Sequence, residues 1–115
     1  MKENIIQKKS FEFSFRIIDL YKRLVEEKEY VLSNQLLRSA TSIGANVEES
    51  IAAESKKDFL HKMYVANKES RETKYWLLLL KEGNLTQQDL TKELSDIEEI
   101  LKIISAITKS TKMNL

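Results

Sequence analysis

One histidine and a scatter of carboxylates are the side chains here that could do chemistry. His61 stands three residues after Asp58, Glu69 and Glu72 lie three apart, and Glu49 precedes them. A di-iron bundle site takes Glu-x-x-His from two helices and one further Glu from each of two others. With His61 as the sole histidine, that set cannot be assembled. A hydrolytic triad needs a His oriented by an acid and set beside a nucleophile, and no spacing marks one. The absence of cysteine removes thiol catalysis, disulfides and cysteine-ligated metals. The two glycines, Gly44 and Gly83, are too far apart for a phosphate loop. A carboxylate pair in a pocket could still carry acid–base work, so a carboxylate-centred metal or catalytic site stays as a third reading. The expectation is no enzyme activity, no metal and no cofactor.

What remains is recognition, and it concentrates around "VANKESRETKYWLLLL", residues 65–80. Three stripes at helical spacing run along this segment. Phe59, Met63, Ala66, Ser70, Thr73, Leu77 and Leu80 alternate steps of four and three, the pattern of a bundle seam facing its own core. Val65, Glu69, Glu72, Trp76 and Leu79 repeat the spacing about 110° further round. Their ends are apolar and their middle is two carboxylates. Upstream, Leu36, Ala40, Ile43 and Val47 form another seam, flanked by Ser39, Ser42, Asn46, Glu49 and Ala53. The plainer reading is that Trp76 and Leu79 widen the core stripe. The sharper one is a subunit interface centred on Trp76 and Leu79. Asn46, Glu49, Glu69 and Glu72 would then fix its register, with Arg38 as counter-ion. The third stripe is Lys57, His61, Tyr64, Lys68, Arg71 and Tyr75, which holds no acid. Basic groups interleaved with aromatics suit a phosphate backbone with bases stacked beside it; a solvated outer face is the plainer alternative. Residues 55–82 carry seven Lys or Arg against four acids, whereas residues 83–107 carry two against five.

These stripes need helices to hold them. The chain has 115 residues, no proline and only two glycines, too few turn formers for a sheet protein of this length. At 42% hydrophobic and 32% charged it has enough apolar material for one core. The net charge of +1 predicts neither nucleic acid nor membrane on bulk grounds. No stretch has the length of a signal peptide core or a membrane span, so a cytoplasmic protein without membrane contact is expected. Punctuation divides residues 1–115 into four helices within one domain, at about 10–27, 33–53, 55–82 and 86–109. Phe11, Phe15, Ile18, Leu24 and Val25 supply the apolar face of the first. Ser33 reads as an N-cap, and "SKKD" and "TQQD" as capping boxes with Asp for Glu. Gly83 fits the left-handed position after a helix, and "STKMNL" should fray. Short connections make neighbours antiparallel. The predicted fold is an all-α, up-down antiparallel four-helix bundle.

"LLRSATSIGANVEES", residues 36–50, with "FLHKMYVANKESRETKYWLLLL", residues 59–80, resembles the bacterial 23S rRNA intervening-sequence family. The family pattern Q-x-x-R-A-x-x-S-I-x-A-N-I-x-E-G is met by Gln35, Arg38, Ser42, Ile43, Ala45, Asn46, Val47 and Glu49. A branch reading K-E-x-x-E-T-x-Y-W-L is met by Lys68, Glu69, Glu72, Thr73, Tyr75, Trp76 and Leu77. Two positions depart: Gly44 stands where proline is frequent, and Ser50 where glycine is usual. Gly44 should soften the second helix and allow a kink there. The resemblance implies a left-handed bundle that assembles as a homopentamer without established catalytic activity. A related branch serves as the accessory protein of diversity-generating retroelements and binds nucleic acid, which implies RNA or DNA as a second kind of partner. That branch is strongly basic; this chain is not. The expected function is a self-assembling scaffold or interaction module, with nucleic-acid binding as the alternative.

Overall fold

A computed structural model describes residues 4–114 of the chain. Helix α1 spans Ile5–Glu26, α2 Val31–Ile51, α3 Lys56–Glu82 and α4 Thr91–Met113. Each helix packs on its neighbours in sequence, α1 closes the ring against α4, and among the described residues no backbone approach within 8 Å crosses either diagonal. The result is the expected all-α up-down bundle, a rod of 46 × 23 × 22 Å.

The core is a continuous apolar column. Phe13, Ile17, Leu20 and Leu24 come from α1, and Leu36, Ala40, Ile43 and Val47 from α2. Met63, Ala66, Leu77 and Leu80 come from α3, and Ile97, Ile100 and Ile104 from α4. Midway along α3 the seam turns small and polar at Ser70 and Thr73, both fully buried. Ser70 Oγ donates to the Ala66 carbonyl at 2.8 Å, and the hydroxyls of Thr73 and Ser39 bond to each other at 2.8 Å. Small side chains with satisfied hydroxyls let α2 and α3 approach closely at no polar cost, and theirs is the most extensive pairing in the bundle. The α1–α4 pairing is the thinnest. It is bridged by Lys9–Glu99 and by Arg16–Asp96, the latter at 2.8 Å.

Several boundaries differ from the sequence reading. Helix α1 starts earlier, at Asn4, whose side chain accepts the Gln7 amide at 3.0 Å. The face expected on α1 is also rotated. Ile6, Ser10, Phe13, Ile17, Leu20 and Leu24 are buried, while Phe11 and Phe15 are 64% and 59% exposed. Ser10 is small enough to sit inside because α2 presents Gly44 to it. A Cβ on Gly44 would stand 3.4 Å from Ser14 Oγ and 3.5 Å from the Ser10 carbonyl oxygen. The helix runs unbroken through Gly44.

Ser33 is not the cap of α2. It lies in the first turn, buried, and the Glu29 carboxylate takes its amide at 2.8 Å and that of Leu32 at 3.3 Å. The Ser55 cap is present, with Ser55 Oγ accepting from the Asp58 amide at 3.0 Å and Asp58 accepting from the Glu54 amide at 3.3 Å. "TQQD" is no helix start, because the Thr86 hydroxyl is drawn to Glu27 and the segment stays in the loop until Thr91. Gly83 keeps a right-handed backbone, with φ −81. Asn84 takes the left-handed position at φ 53, and Lys28 does the same after α1 at φ 65. Both ends are Schellman closures: Glu29 N–H bonds to Leu24 O at 2.9 Å, and Leu85 N–H to Leu80 O at 3.0 Å. Helix α4 also continues to Met113, past the expected fraying point.

Candidate functional site

The second stripe of α3 lies along the junction with α2. Arg38, projecting from α2, reaches Glu69 at 3.3 Å through Nη1 and bonds Glu72 through Nη2. Gln35 adds an acceptor for its Nε at 3.2 Å. The hydrogen bond from Arg38 to Glu72 raises the guanidinium's pKa further above its ordinary value, with burial opposing. The structure therefore brings together Arg38, Glu69 and Glu72 within one chain. Glu49 sits apart, facing Lys62 at 3.7 Å. Asn46 turns back on its own helix, donating to the Ser42 carbonyl at 2.8 Å. Trp76 is half-buried against the core, its ring 5.3 Å from Tyr75 in an edge contact. Its Nε1 is buried without an acceptor among the described residues. Leu79 is half-buried one turn further on.

The third stripe is where its spacing predicts. Lys57, His61, Tyr64, Lys68, Arg71 and Tyr75 are all exposed on one side of α3. Arg71 Nε is steadied by Asn67 Oδ1 at 3.0 Å. No acid faces this row from within it, so its charge is presented outward.

The surface feature that the sequence reading missed is on α1. Phe11 and Phe15 meet edge to face with ring centres 5.0 Å apart, in solvent. Phe11 borders a groove between α1 and α2 lined by Ser14, Thr41, Gly44, Ala45 and Glu48. Gln7 Nε2 spans one end to Glu48 Oε2 at 3.0 Å. The available signal was the run Ile6, Ser10, Phe13, Ile17, Leu20, Leu24, which has the same four–three alternation as the α3 seam. Taking Ser10 as the helix start hid it.

No group of three or more His, Asp or Glu among the described residues is placed to hold a metal ion. No helix among them is long and apolar enough to cross a membrane.

Four helices packed on their neighbours in an up-down ring define the chain as an all-α four-helix-bundle protein. Residues 2–106 match the family described as 23S rRNA-intervening sequence protein, and the chain belongs to that family. Among solved structures it is similar to a protein with unknown function from the S23 ribosomal protein family, from Bacteroides thetaiotaomicron VPI-5482. The two are 46% identical with a TM-score of 0.84, over 90% of this chain and 98% of that one. No curated protein matches the chain.

Proposed function

We propose that this protein is a non-catalytic building block that assembles with copies of itself, as a homopentamer, and serves as a scaffold or interaction module. The observation that carries this reading is the exposure of Phe11 and Phe15, at 64% and 59%, side by side on one helix. Two adjacent exposed phenyl rings, one of them beside an open groove, cost a monomer free energy that burial in a partner recovers. The resemblance to a pentameric family supplies the number of copies. Multi-angle light scattering at micromolar concentration is expected to give five times the 13.4 kDa chain mass. A monomeric mass at that concentration would overturn the reading.

The exposed row Lys57, His61, Tyr64, Lys68, Arg71 and Tyr75 favours a second reading, contact with RNA or DNA. The resemblance implies that a related branch of the family binds nucleic acid, which supports the same reading. Assembly would multiply a weak single row into several. Lys68→Glu with Arg71→Glu is expected to weaken binding to a mixed-sequence single strand and lower the salt slope by about 1.4, at roughly 0.7 per phosphate contact. Absence of any gel retardation at low salt would dispose of this reading.

A further inference from the structure

We infer that the outward row of α3 is a bed for an unpaired strand of RNA or DNA, with Tyr64 and Tyr75 stacked on its bases and Lys57, Lys68 and Arg71 against its phosphates. The inference rests on the nucleic-acid reading above and narrows it to strands whose base faces are free. Lys57 and Lys68 have no ion-pair partner among the described residues, and Arg71 is held by the neutral Asn67 amide. The acids that flank the row are engaged elsewhere. Across the α2 junction, Glu69 and Glu72 both turn to Arg38, and Glu49 faces Lys62. Across the α4 junction, Glu98 is paired with Lys74. At the start of the row, Asp58 accepts the Glu54 amide. The first acid on the line of the row itself is Glu82, about two turns beyond Tyr75. From Lys57 to Tyr75 the surface therefore presents positive charge outward, the complement of a phosphate chain.

The two tyrosines decide which kind of strand fits. They are 43% and 55% exposed, and they stand on one line about 16 Å apart at roughly 1.5 Å per residue. Lys68 and Arg71 lie between them. Tyr75 is braced by the half-buried Trp76 in a T-shaped contact, ring centres 5.3 Å apart, so it has little freedom to lose when a base settles on it. In a duplex the base faces cover one another and only their edges show in the grooves, which leaves a tyrosine nothing to stack on. In an unpaired strand each base offers its face, and aromatic side chains take it whatever the sequence. The span between the rings fits about five nucleotides at roughly 3.4 Å per stacked nucleotide, an ordinary size for a single-strand site.

Fluorescence anisotropy tests this with labelled oligothymidine, labelled oligouridine and a labelled oligo(dA)·oligo(dT) duplex, the tighter of the two single strands identifying the sugar. Wild type is expected to bind a single strand about 25-fold or more above the duplex, about fivefold for each ring. Tyr64→Ser with Tyr75→Ser should remove that advantage and leave duplex binding and the salt slope unchanged, because neither ring carries charge. Tyr64→Phe with Tyr75→Phe should keep it, because the rings remain. Both tyrosines are exposed, so unchanged helical circular dichroism confirms that each variant folds. Equal affinity for duplex and single strands overturns the inference, as does a serine variant that binds like wild type. Polyglutamate that displaces the strand as well as unlabelled oligothymidine does also overturns it, and makes the row a docking face for an acidic protein. No binding to any of the three polynucleotides would instead remove the nucleic-acid reading beneath it.

Discussion

Lys28 is a non-glycine residue in the left-handed region, φ 65, at the closing turn of α1. An L-side chain there carries a steric cost that glycine does not. Lys28→Gly is therefore expected to stabilise the fold by about 0.5–1 kcal/mol, read from urea unfolding; a loss would mean that the turn depends on the lysine side chain. Its neighbour Glu27 shows the reverse economy. The carboxylate accepts from the Thr86 hydroxyl at 2.5 Å, Gln88 Nε2 at 3.0 Å and the Gln87 amide at 3.2 Å. These bonds, that from Thr86 foremost, hold its pKa below the ordinary 4.5. A carboxyl depressed by folding contributes stability above its unfolded pKa and loses it as pH falls through the folded value. The melting temperature gap between wild type and Glu27→Gln should thus be constant at neutral pH and shrink below about pH 4.5. A gap unchanged down to pH 3 would remove Glu27 as the tie between α1 and the α3–α4 loop.

Among elements, the α1–α2 pair turns on Gly44. Its would-be Cβ meets Ser14 and Ser10 at 3.4–3.7 Å, ordinary contact distance. Gly44→Ala should gain up to about 1 kcal/mol of helix propensity, whereas Gly44→Leu must push α1 outward and cost about 1–3 kcal/mol; thermal denaturation of both variants decides. In the α2–α3 pair, Arg38 is 47% exposed at its side chain, so Arg38→Ala should change monomer stability by less than about 1 kcal/mol. A larger loss by the same denaturation would mean that the cluster with Glu69 and Glu72 supports the fold beyond a surface ion pair. The seams of α2 and α3 were legible in the sequence because leucine, alanine and methionine recur there at steps of four and three. The α1 seam was obscured. Its "FEFSF" alternates phenylalanine with polar residues, a strand-like period, and a helix start at Ser10 hides the four–three run through Ile6, Ser10 and Phe13 that takes Phe13 inside. The start of α4 was equally hidden, because Thr86 is captured by Glu27, 59 positions away in sequence. The three α3 stripes were readable as spacings. That Arg38 meets two of their carboxylates in its own chain depends on the α2–α3 register, which no spacing within one helix supplies.

At the scale of the whole molecule, the four corners of the rod are unequally bound. The α2–α3 corner is closed by apolar side chains and by buried hydroxyls that bond to each other, with the Arg38–Glu69, Arg38–Glu72 and Lys62–Glu49 pairs outside them. The α1–α4 corner relies in part on the Lys9–Glu99 and Arg16–Asp96 pairs, which stay partly in water. Dissolved ions weaken the ion pairs and leave the buried apolar and hydroxyl contacts alone, so salt takes a larger share of what holds the thinner α1–α4 corner. The molecule therefore has a built-in order of opening, with a sturdy half and a door. Deuterium from heavy water should enter the backbone amides of α1 and α4 sooner than those of α2 and α3, and added sodium chloride should widen that difference. Equal exchange in all four helices at every ionic strength would mean that the rod opens only as a unit.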